Sequence, residues 1–119
     1  MSSDLRITVS EESGNVPVTI LHLIGDLDAN TQKNFETKAQ EIVKGGADNL
    51  LLDLSAVTYM GSAGLRAIHS LATSLKEGGH AGHIKLLSPS EPVAKVLKTL
   101  GFDSYFEVFD SVHEAVASF

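Results

Sequence analysis

The sequence predicts one α/β domain, in which a mixed sheet of four or five strands begins with a β-hairpin and packs against about four helices. Strand-like and helix-like segments alternate after the hairpin, which gives the order ββαβαβαβα. Residues 50–54 are almost continuously apolar, which is typical of a strand covered on both faces of its sheet. The chain has 119 residues, 43% of them hydrophobic, and no cysteine, so we expect a single core across residues 1–119 without disulfides.

The first two strands and the first helix are indicated by local patterns. Residues 5–10 alternate between apolar and polar side chains, and residues 16–24 form a β-branched run after a turn-rich segment, which predicts an antiparallel hairpin. Residues 31–44 predict an amphipathic helix, which we expect to end at the Gly45-Gly46 pair. Its apolar side chains recur at helical spacing: Phe35, Ala39, Ile42 and Val43.

The middle of the chain contains a strand followed directly by a helix. Residues 50–54 predict a central strand, and apolar side chains then recur at helical spacing from Ser62 until Gly78. The sequence Gly-Ser-Ala-Gly at residues 61–64 therefore lies at a strand-to-helix junction. We expect Ser62 to be the N-cap of this helix, with its hydroxyl accepting a hydrogen bond from the amide of Leu65.

The remaining elements repeat the alternation of strand and helix. Residues 83–87 predict a short strand, Ser90 is placed to cap a helix that ends at Gly101, and residues 105–109 predict a last strand. A serine and a glutamate three residues apart match a capping box for a terminal helix: Ser111 and Glu114. Short loops and right-handed crossovers would join these elements into one sheet.

Composition excludes several classes of function. The formal net charge is -6, which makes nucleic acid and anionic membranes poor partners. The N-terminus has no basic patch followed by an apolar stretch, and the most apolar segment, residues 16–24, is far too short to span a membrane. We therefore expect a cytoplasmic protein that binds neither nucleic acid nor membrane.

The sequence favours a protein that is not an enzyme. The spacing in residues 61–64 is not the Gly-x-Ser-x-Gly of a hydrolase nucleophile elbow, nor that of a Walker phosphate loop. His80 and His83 form a His-x-x-His pair in a glycine-rich link, but no further ligand type supports a metal site there. We predict no catalytic residue, no metal and no cofactor.

Four other polar residues lie within apolar segments. Asp53 follows three leucines, and we favour a structural hydrogen bond to a neighbouring loop over a direct role at a ligand site. The histidines at positions 22, 69 and 113 are isolated among strand and helix residues, which is typical of ordinary packing or of the surface.

Ser62 is the candidate for chemistry. The first turn of a helix carries amides without intrahelical partners at the positive end of the helix dipole, which favours an anion. A phosphate on this hydroxyl would add about two negative charges and change the surface that a partner contacts.

Four segments of the chain resemble a known family. They are Ile-Gly-Asp-Leu-Asp at residues 24–28, Leu-Asp-Leu-Ser-Ala-Val at 52–57, Gly-Ser-Ala-Gly-Leu at 61–65 and the stretch 97–106. In this order and spacing they resemble the STAS domain, and within it the stand-alone bacterial anti-sigma factor antagonists. The resemblance covers nearly the whole chain.

The resemblance implies a partner switch. An unmodified antagonist binds an anti-sigma factor that is also a serine kinase, which frees the sigma factor, and phosphorylation reverses the binding. The phosphoacceptor position of the family corresponds to Ser62, and the acidic residue near that site corresponds to Asp28. Gly61 stands where the family usually has aspartate. A metal-dependent serine phosphatase would reset the switch, and ATP would belong to the kinase.

The partner-binding surface implied by the resemblance combines a loop, a turn and a helix start. Its predicted residues are Asp26, Asp28, Asn30, Tyr59, Met60, Gly61, Ser62, Ala63 and Gly64. The alternative is a STAS-type sensor or scaffold that binds a nucleotide or lipid beside Gly61 without a phosphoswitch. An anion-transporter domain is not favoured because no membrane segment is seen, and the sequence leaves open whether the chain forms a homodimer.

Overall fold

The computed structural model describes residues 4–77 and 84–119 as one α/β fold. Its elements are β1 (Leu5–Ser13), β2 (Pro17–Leu27), α1 (Gln32–Lys44), β3 (Leu50–Met60), α2 (Ser62–Glu77), β4 (Ile84–Leu87), α3 (Glu91–Thr99), β5 (Val108–Phe109) and α4 (Val112–Ala117). The predicted order ββαβαβαβα is confirmed.

The strands form one mixed sheet in the order β1-β2-β3-β4-β5. The hairpin β1–β2 is antiparallel, and each later strand pairs in parallel with the strand before it. Because neighbours in sequence are neighbours in the sheet, each crossover is short and the carboxyl ends of the parallel strands meet at one edge.

Helices cover both faces of the sheet, although unequally. Leu50, Leu52 and Leu54 of β3 belong to a large core cluster, whereas Leu51 belongs to a smaller cluster on the opposite face. The large cluster includes side chains from three helices: Phe35 and Ala39 of α1, Leu65 and Ile68 of α2, and Val93 and Leu97 of α3. The smaller cluster includes Ala115 and Val116 of α4. A strand packed on both faces explains the continuous apolar run at its start.

Several strands differ in length from the prediction. The strands β1 and β2 extend to Ser13 and Leu27, beyond the predicted ends at residues 10 and 24. The predicted central strand ended at residue 54, but β3 continues to Met60 because its second half pairs with the end of β2, with two irregularities in the register. The predicted strand 105–109 is reduced to Val108–Phe109. The preceding residues form turns that bury the side chain of Phe106, which is 6% exposed.

The helix ends agree with the prediction in most cases. Gly46 and Gly101 adopt φ values of 107° and 78°, which favour glycine, and each lies two residues after the last residue of α1 or α3. Ser111 caps α4 by accepting a hydrogen bond from the amide of Glu114 at 3.2 Å. Ser90 holds the N-cap position of α3, but its hydroxyl donates to the carbonyl oxygen of Val57 at 2.6 Å, so the predicted side-chain cap is wrong.

Two predictions from the sequence concern a metal site and a membrane-spanning helix. The histidines at positions 80 and 83 lie outside the described residues. Within residues 4–77 and 84–119, no group of three or more potential ligands is arranged to hold a metal ion. In the same part of the chain, no helix has the length and apolar character needed to cross a membrane.

Candidate functional site

The candidate site lies where β2 ends and α2 begins. Leu27 and Met60 are register partners at the carboxyl ends of β2 and β3, and the amide of Gly61 donates to the carbonyl oxygen of Leu27 at 3.0 Å. A β carbon at Gly64 would overlap that oxygen and lie 2.7 Å from Cγ of Leu27. Glycine at position 64 therefore allows the first turn of α2 to pack directly on the end of β2.

Ser62 is the first residue of α2 and is exposed to solvent. The amide of Leu65 donates to the carbonyl oxygen of Gly61 at 3.2 Å, so Gly61, and not Ser62, holds the N-cap position. The predicted capping role of Ser62 is wrong for this reason. Among the residues that the structure describes, none is hydrogen-bonded to the Ser62 hydroxyl, which is therefore available for chemistry.

The loop after β2 carries Asp28 beside this helix start. The Oδ1 atom of Asp28 accepts hydrogen bonds from the amides of Asn30 at 2.9 Å and Thr31 at 3.3 Å. The carbonyl oxygen of Asp28 accepts from the amide of Gln32 at 2.9 Å. Thr31 is 5% exposed, and its hydroxyl donates to the carbonyl oxygen of Asp26 at 2.8 Å. The loop is therefore fixed by its own hydrogen bonds at the start of α1.

The loop and the helix start enclose an open depression of about 280 Å³, which we call the Ser62 depression. Its lining residues are Asp28, Ala29, Asn30, Tyr59, Gly61, Ser62 and Ala63. Six of them were predicted from the sequence, and Ala29 was missed. The spacing Asp28-x-x-Thr31 before an amphipathic helix is the signal that would have identified this loop as a fixed turn.

Three predicted partner-binding residues lie elsewhere. Met60 is 2% exposed and Gly64 is buried, and neither residue lines the depression. Asp26 does not line the depression, and its Oδ1 atom accepts a hydrogen bond from the hydroxyl of Thr58 at 2.7 Å. That these three residues contact a partner stays a prediction.

The structure around Gly61 has room for an aspartate side chain, which the resemblance leads one to expect at this position. A β carbon at this position would lie 3.5 Å from the Tyr59 ring and hydroxyl oxygen and 3.6 Å from Cβ of Asp28, which are ordinary contacts. An aspartate could therefore be accommodated at the N-cap position, where its carboxylate could accept a hydrogen bond from the first turn of α2.

A second polar cluster crosses the hairpin and the central strand. Nδ1 of His22 lies 2.8 Å from Oδ2 of Asp53, and Nε2 of the same ring lies 2.8 Å from the hydroxyl of Ser10. The other Asp53 oxygen accepts hydrogen bonds from the amide and the hydroxyl of Ser55 at 3.1 and 2.7 Å. The cluster joins β1, β2 and β3 side by side.

Burial alone would raise the pKa of the Asp53 carboxyl, but the hydrogen bonds from Ser55 and His22 outweigh it and lower that pKa from its ordinary value of 3.8. The structural interpretation of Asp53 fits these contacts, although its partners lie in strands and not in a loop. His22 is a hydrogen-bonded member of this cluster, a contact that the sequence pattern did not indicate. His69 packs against Phe102 and Tyr105 with ring centroids 5.7 and 5.0 Å away, and His113 is exposed on α4.

Comparison with protein families identifies the class of domain that this fold and site define. The profile of the STAS domain matches residues 8–115, and this chain therefore belongs to the STAS domain family. The resemblance inferred from four short segments is confirmed at the level of the family.

Two curated relatives are named as anti-sigma factor antagonists. The chain is 27% identical over 112 residues to the anti-sigma-F factor antagonist RsfB of Mycobacterium tuberculosis, covering 94% of this chain and 87% of the relative. It is 28% identical over 115 residues to the putative anti-sigma factor antagonist BtrV of Bordetella bronchiseptica, covering 97% and 95%.

A solved structure has the same fold over almost its full length. It is the crystal structure of an anti-sigma factor antagonist from Mycobacterium paratuberculosis, with a TM-score of 0.82 and 22% identity. The match covers 97% of this chain and 93% of that chain.

Proposed function

We propose that this chain is an anti-sigma factor antagonist that binds an anti-sigma factor serine kinase and is switched by phosphorylation of Ser62. The observation that carries the proposal is the exposed Ser62 hydroxyl at the first residue of α2, beside the fixed Asp28 loop. The names of the two relatives, which this chain matches along nearly all of its length, support the same role. The kinase would bring the ATP.

The surface proposed for docking is the Ser62 depression with the exposed ring of Tyr59. Tyr59 is 55% exposed, and its ring lies over Gly61 at the rim of the depression. Exposed aromatic side chains often anchor protein interfaces because they bury a large area with little loss of conformational entropy. The depression itself is shallow and half polar, which suits contact with a protein loop.

Phosphorylation would act through charge. A phosphate on Ser62 adds about two negative charges beside the Asp28 carboxylate. The amides of the first turn of α2 would stabilise that phosphate, so α2 would remain folded while the docking surface became strongly acidic. A partner that fits the neutral hydroxyl would lose contact, and a metal-dependent serine phosphatase would restore it.

The test is a binding series against the cognate anti-sigma factor. Ser62→Ala should bind as tightly as the unmodified chain, because it keeps a small neutral side chain, whereas Ser62→Asp should bind weakly. Ser70→Ala is the matched control, since Ser70 is an exposed serine two turns further along the same helix. Equal affinity for the alanine and aspartate variants at position 62 would refute the switch.

The alternative from the sequence is a small-ligand sensor in which no kinase acts. The Ser62 depression is open, and the larger cavity of about 400 Å³ lies elsewhere, between β1, the start of β2 and the end of α1. A thermal-shift screen with nucleotides and lipids separates the two functions, because a specific ligand raises the unfolding midpoint. We expect no such rise.

A further inference from the structure

The outer edge of β1, a strand of nine residues, carries the backbone groups that do not point towards β2. β1 is the first strand in the sheet order, and within residues 4–77 and 84–119 it pairs with β2 alone. Most of its side chains are exposed. One group at its start is occupied, because the side-chain amide of Asn34 donates to the carbonyl oxygen of Leu5 at 3.0 Å. The rest of the edge can accept another strand.

The hydrogen bonds of the hairpin show which residues face this edge. The amide of Asp26 donates to the carbonyl oxygen of Asp4, and the amide of Gly14 donates to the carbonyl oxygen of Val16. Both bonds join even-numbered positions on the β1 side, and backbone groups alternate in direction along an antiparallel strand. The backbone groups of the odd-numbered residues therefore point to the free edge: Ile7, Val9, Glu11 and Ser13.

We propose that this edge pairs antiparallel with the same edge of a second copy of the chain, about a two-fold axis at Val9. In this register Val9 lies opposite Val9 of the partner subunit, and Arg6 lies opposite Glu12 of the partner subunit. The two-fold axis makes the second contact twice, so the interface contains two pairs of opposite charge. Val9 is 41% exposed in the single chain and would be covered.

The charges select this register over its neighbours. Only registers that set odd-numbered residues against odd-numbered residues form backbone hydrogen bonds across the new edge. A shift of the axis to Thr8 would place Asp4 opposite Glu12 of the partner subunit, which is repulsive. A shift to Ser10 would place Arg6 opposite Gly14 of the partner subunit, beyond the end of β1. The axis at Val9 therefore gives the best match of charge and strand length.

The proposal is independent of the proposed switch, because no residue of the Ser62 depression belongs to β1. It commits to a second copy because the edge is complementary to itself. An edge that served only an extended peptide from another protein would leave this chain monomeric when purified.

Sedimentation equilibrium of the full chain over a range of concentrations is the test. We expect a concentration-dependent dimer for the wild type. Arg6→Glu alone and Glu12→Arg alone should each weaken the dimer by about tenfold or more, since like charges then face each other in both pairs. Mixing the two variants should restore dimers, because one chain then carries acidic and the other basic side chains at both positions. Arg66→Glu, at an exposed site on α2, is the control and should dimerise normally.

Amide hydrogen exchange by NMR supplies a second readout that does not depend on the variants. The amides of Val9 and Glu11 should exchange more slowly as the concentration rises, while that of Ser10 should be protected at every concentration by β2. A wild type that remains monomeric at the highest concentration, or charge variants that dimerise as well as the wild type, would overturn the proposal.

Discussion

Two glycines of one short motif should respond very differently to the same added methyl group. Gly61 and Gly64 lie three residues apart at the start of α2. A β carbon at Gly61 makes ordinary contacts at 3.5 Å, whereas one at Gly64 overlaps the carbonyl oxygen of Leu27 and approaches the Leu27 carbonyl carbon to 2.9 Å. We predict that Gly64→Ala destabilises the fold and that Gly61→Ala does so little.

The magnitude follows from three terms. Adding a methyl group to a closely packed site costs about 1–3 kcal/mol. Moving α2 away from β2 would also weaken the hydrogen bond between the Gly61 amide and the Leu27 carbonyl oxygen, at a cost of about 1 kcal/mol. The higher helix propensity of alanine offsets about 1 kcal/mol of this destabilisation. The net loss for Gly64→Ala is therefore about 1–3 kcal/mol.

Urea denaturation of both variants and the wild type measures this difference directly. For Gly64→Ala we expect a lower midpoint at an unchanged slope, which corresponds to a fall in the thermal midpoint of roughly 4–12 °C. For Gly61→Ala we expect a loss of unfolding free energy below about 1 kcal/mol, which comes from the poorer N-cap preference of alanine and not from a clash. Equal stability of Gly64→Ala and the wild type would refute the close contact of α2 with the end of β2.

Three further predictions concern charge and capping. Gly61→Asp should stabilise the fold by a few tenths of a kcal/mol through its N-cap carboxylate, as measured by denaturation. A fall in unfolding free energy above about 1 kcal/mol would show that position 61 does not have room for this side chain. Asp53→Asn should cost about 1–3 kcal/mol at pH 7. Because folding lowers the pKa of Asp53, the carboxylate stabilises the protein fully above its unfolded pKa, and that contribution disappears as the pH falls below 3.8. The difference in unfolding free energy between the wild type and Asp53→Asn should therefore become smaller below that pH. A difference that does not change with pH would disprove that folding lowers the pKa of Asp53. Ser111→Ala should cost about 1 kcal/mol at the start of α4, whereas no change in the unfolding midpoint would show that the cap is dispensable.

The order of elements could be predicted from the sequence because local patterns determine it. The apolar run at residues 50–54, the glycines after α1 and α3, and the Ser111 cap each depend on neighbours within a few residues. The extent of β3 could not be predicted, because residues 55–60 are a strand only through their pairing with β2. The hydrogen bond of the Ser90 hydroxyl could not be predicted either, because it goes to the carbonyl oxygen of Val57, 33 positions away in sequence.

Which residues belong to the candidate site was largely predicted from the sequence, but the burial and contacts of their side chains were not. The resemblance to the STAS family implied that Asp28, Tyr59 and Ser62 belong to one surface. Which side chains point outward depends on the packing of α2 on β2, so the burial of Met60 was not predictable. The contact of His22 with Asp53 depends on the parallel register of β2 and β3, which sets the two residues opposite each other.

The central claim is that Ser62 carries the switch, and the most direct measurement is the intact mass of the chain recovered from its native cells under varied growth conditions. We predict a fraction that carries one phosphate, located by fragmentation at Ser62, together with a co-purified anti-sigma factor bound to the unmodified fraction. The phosphate should be absent from Ser62→Ala and present in Ser70→Ala. A chain that is never phosphorylated, or that carries its phosphate at another residue, would contradict the account.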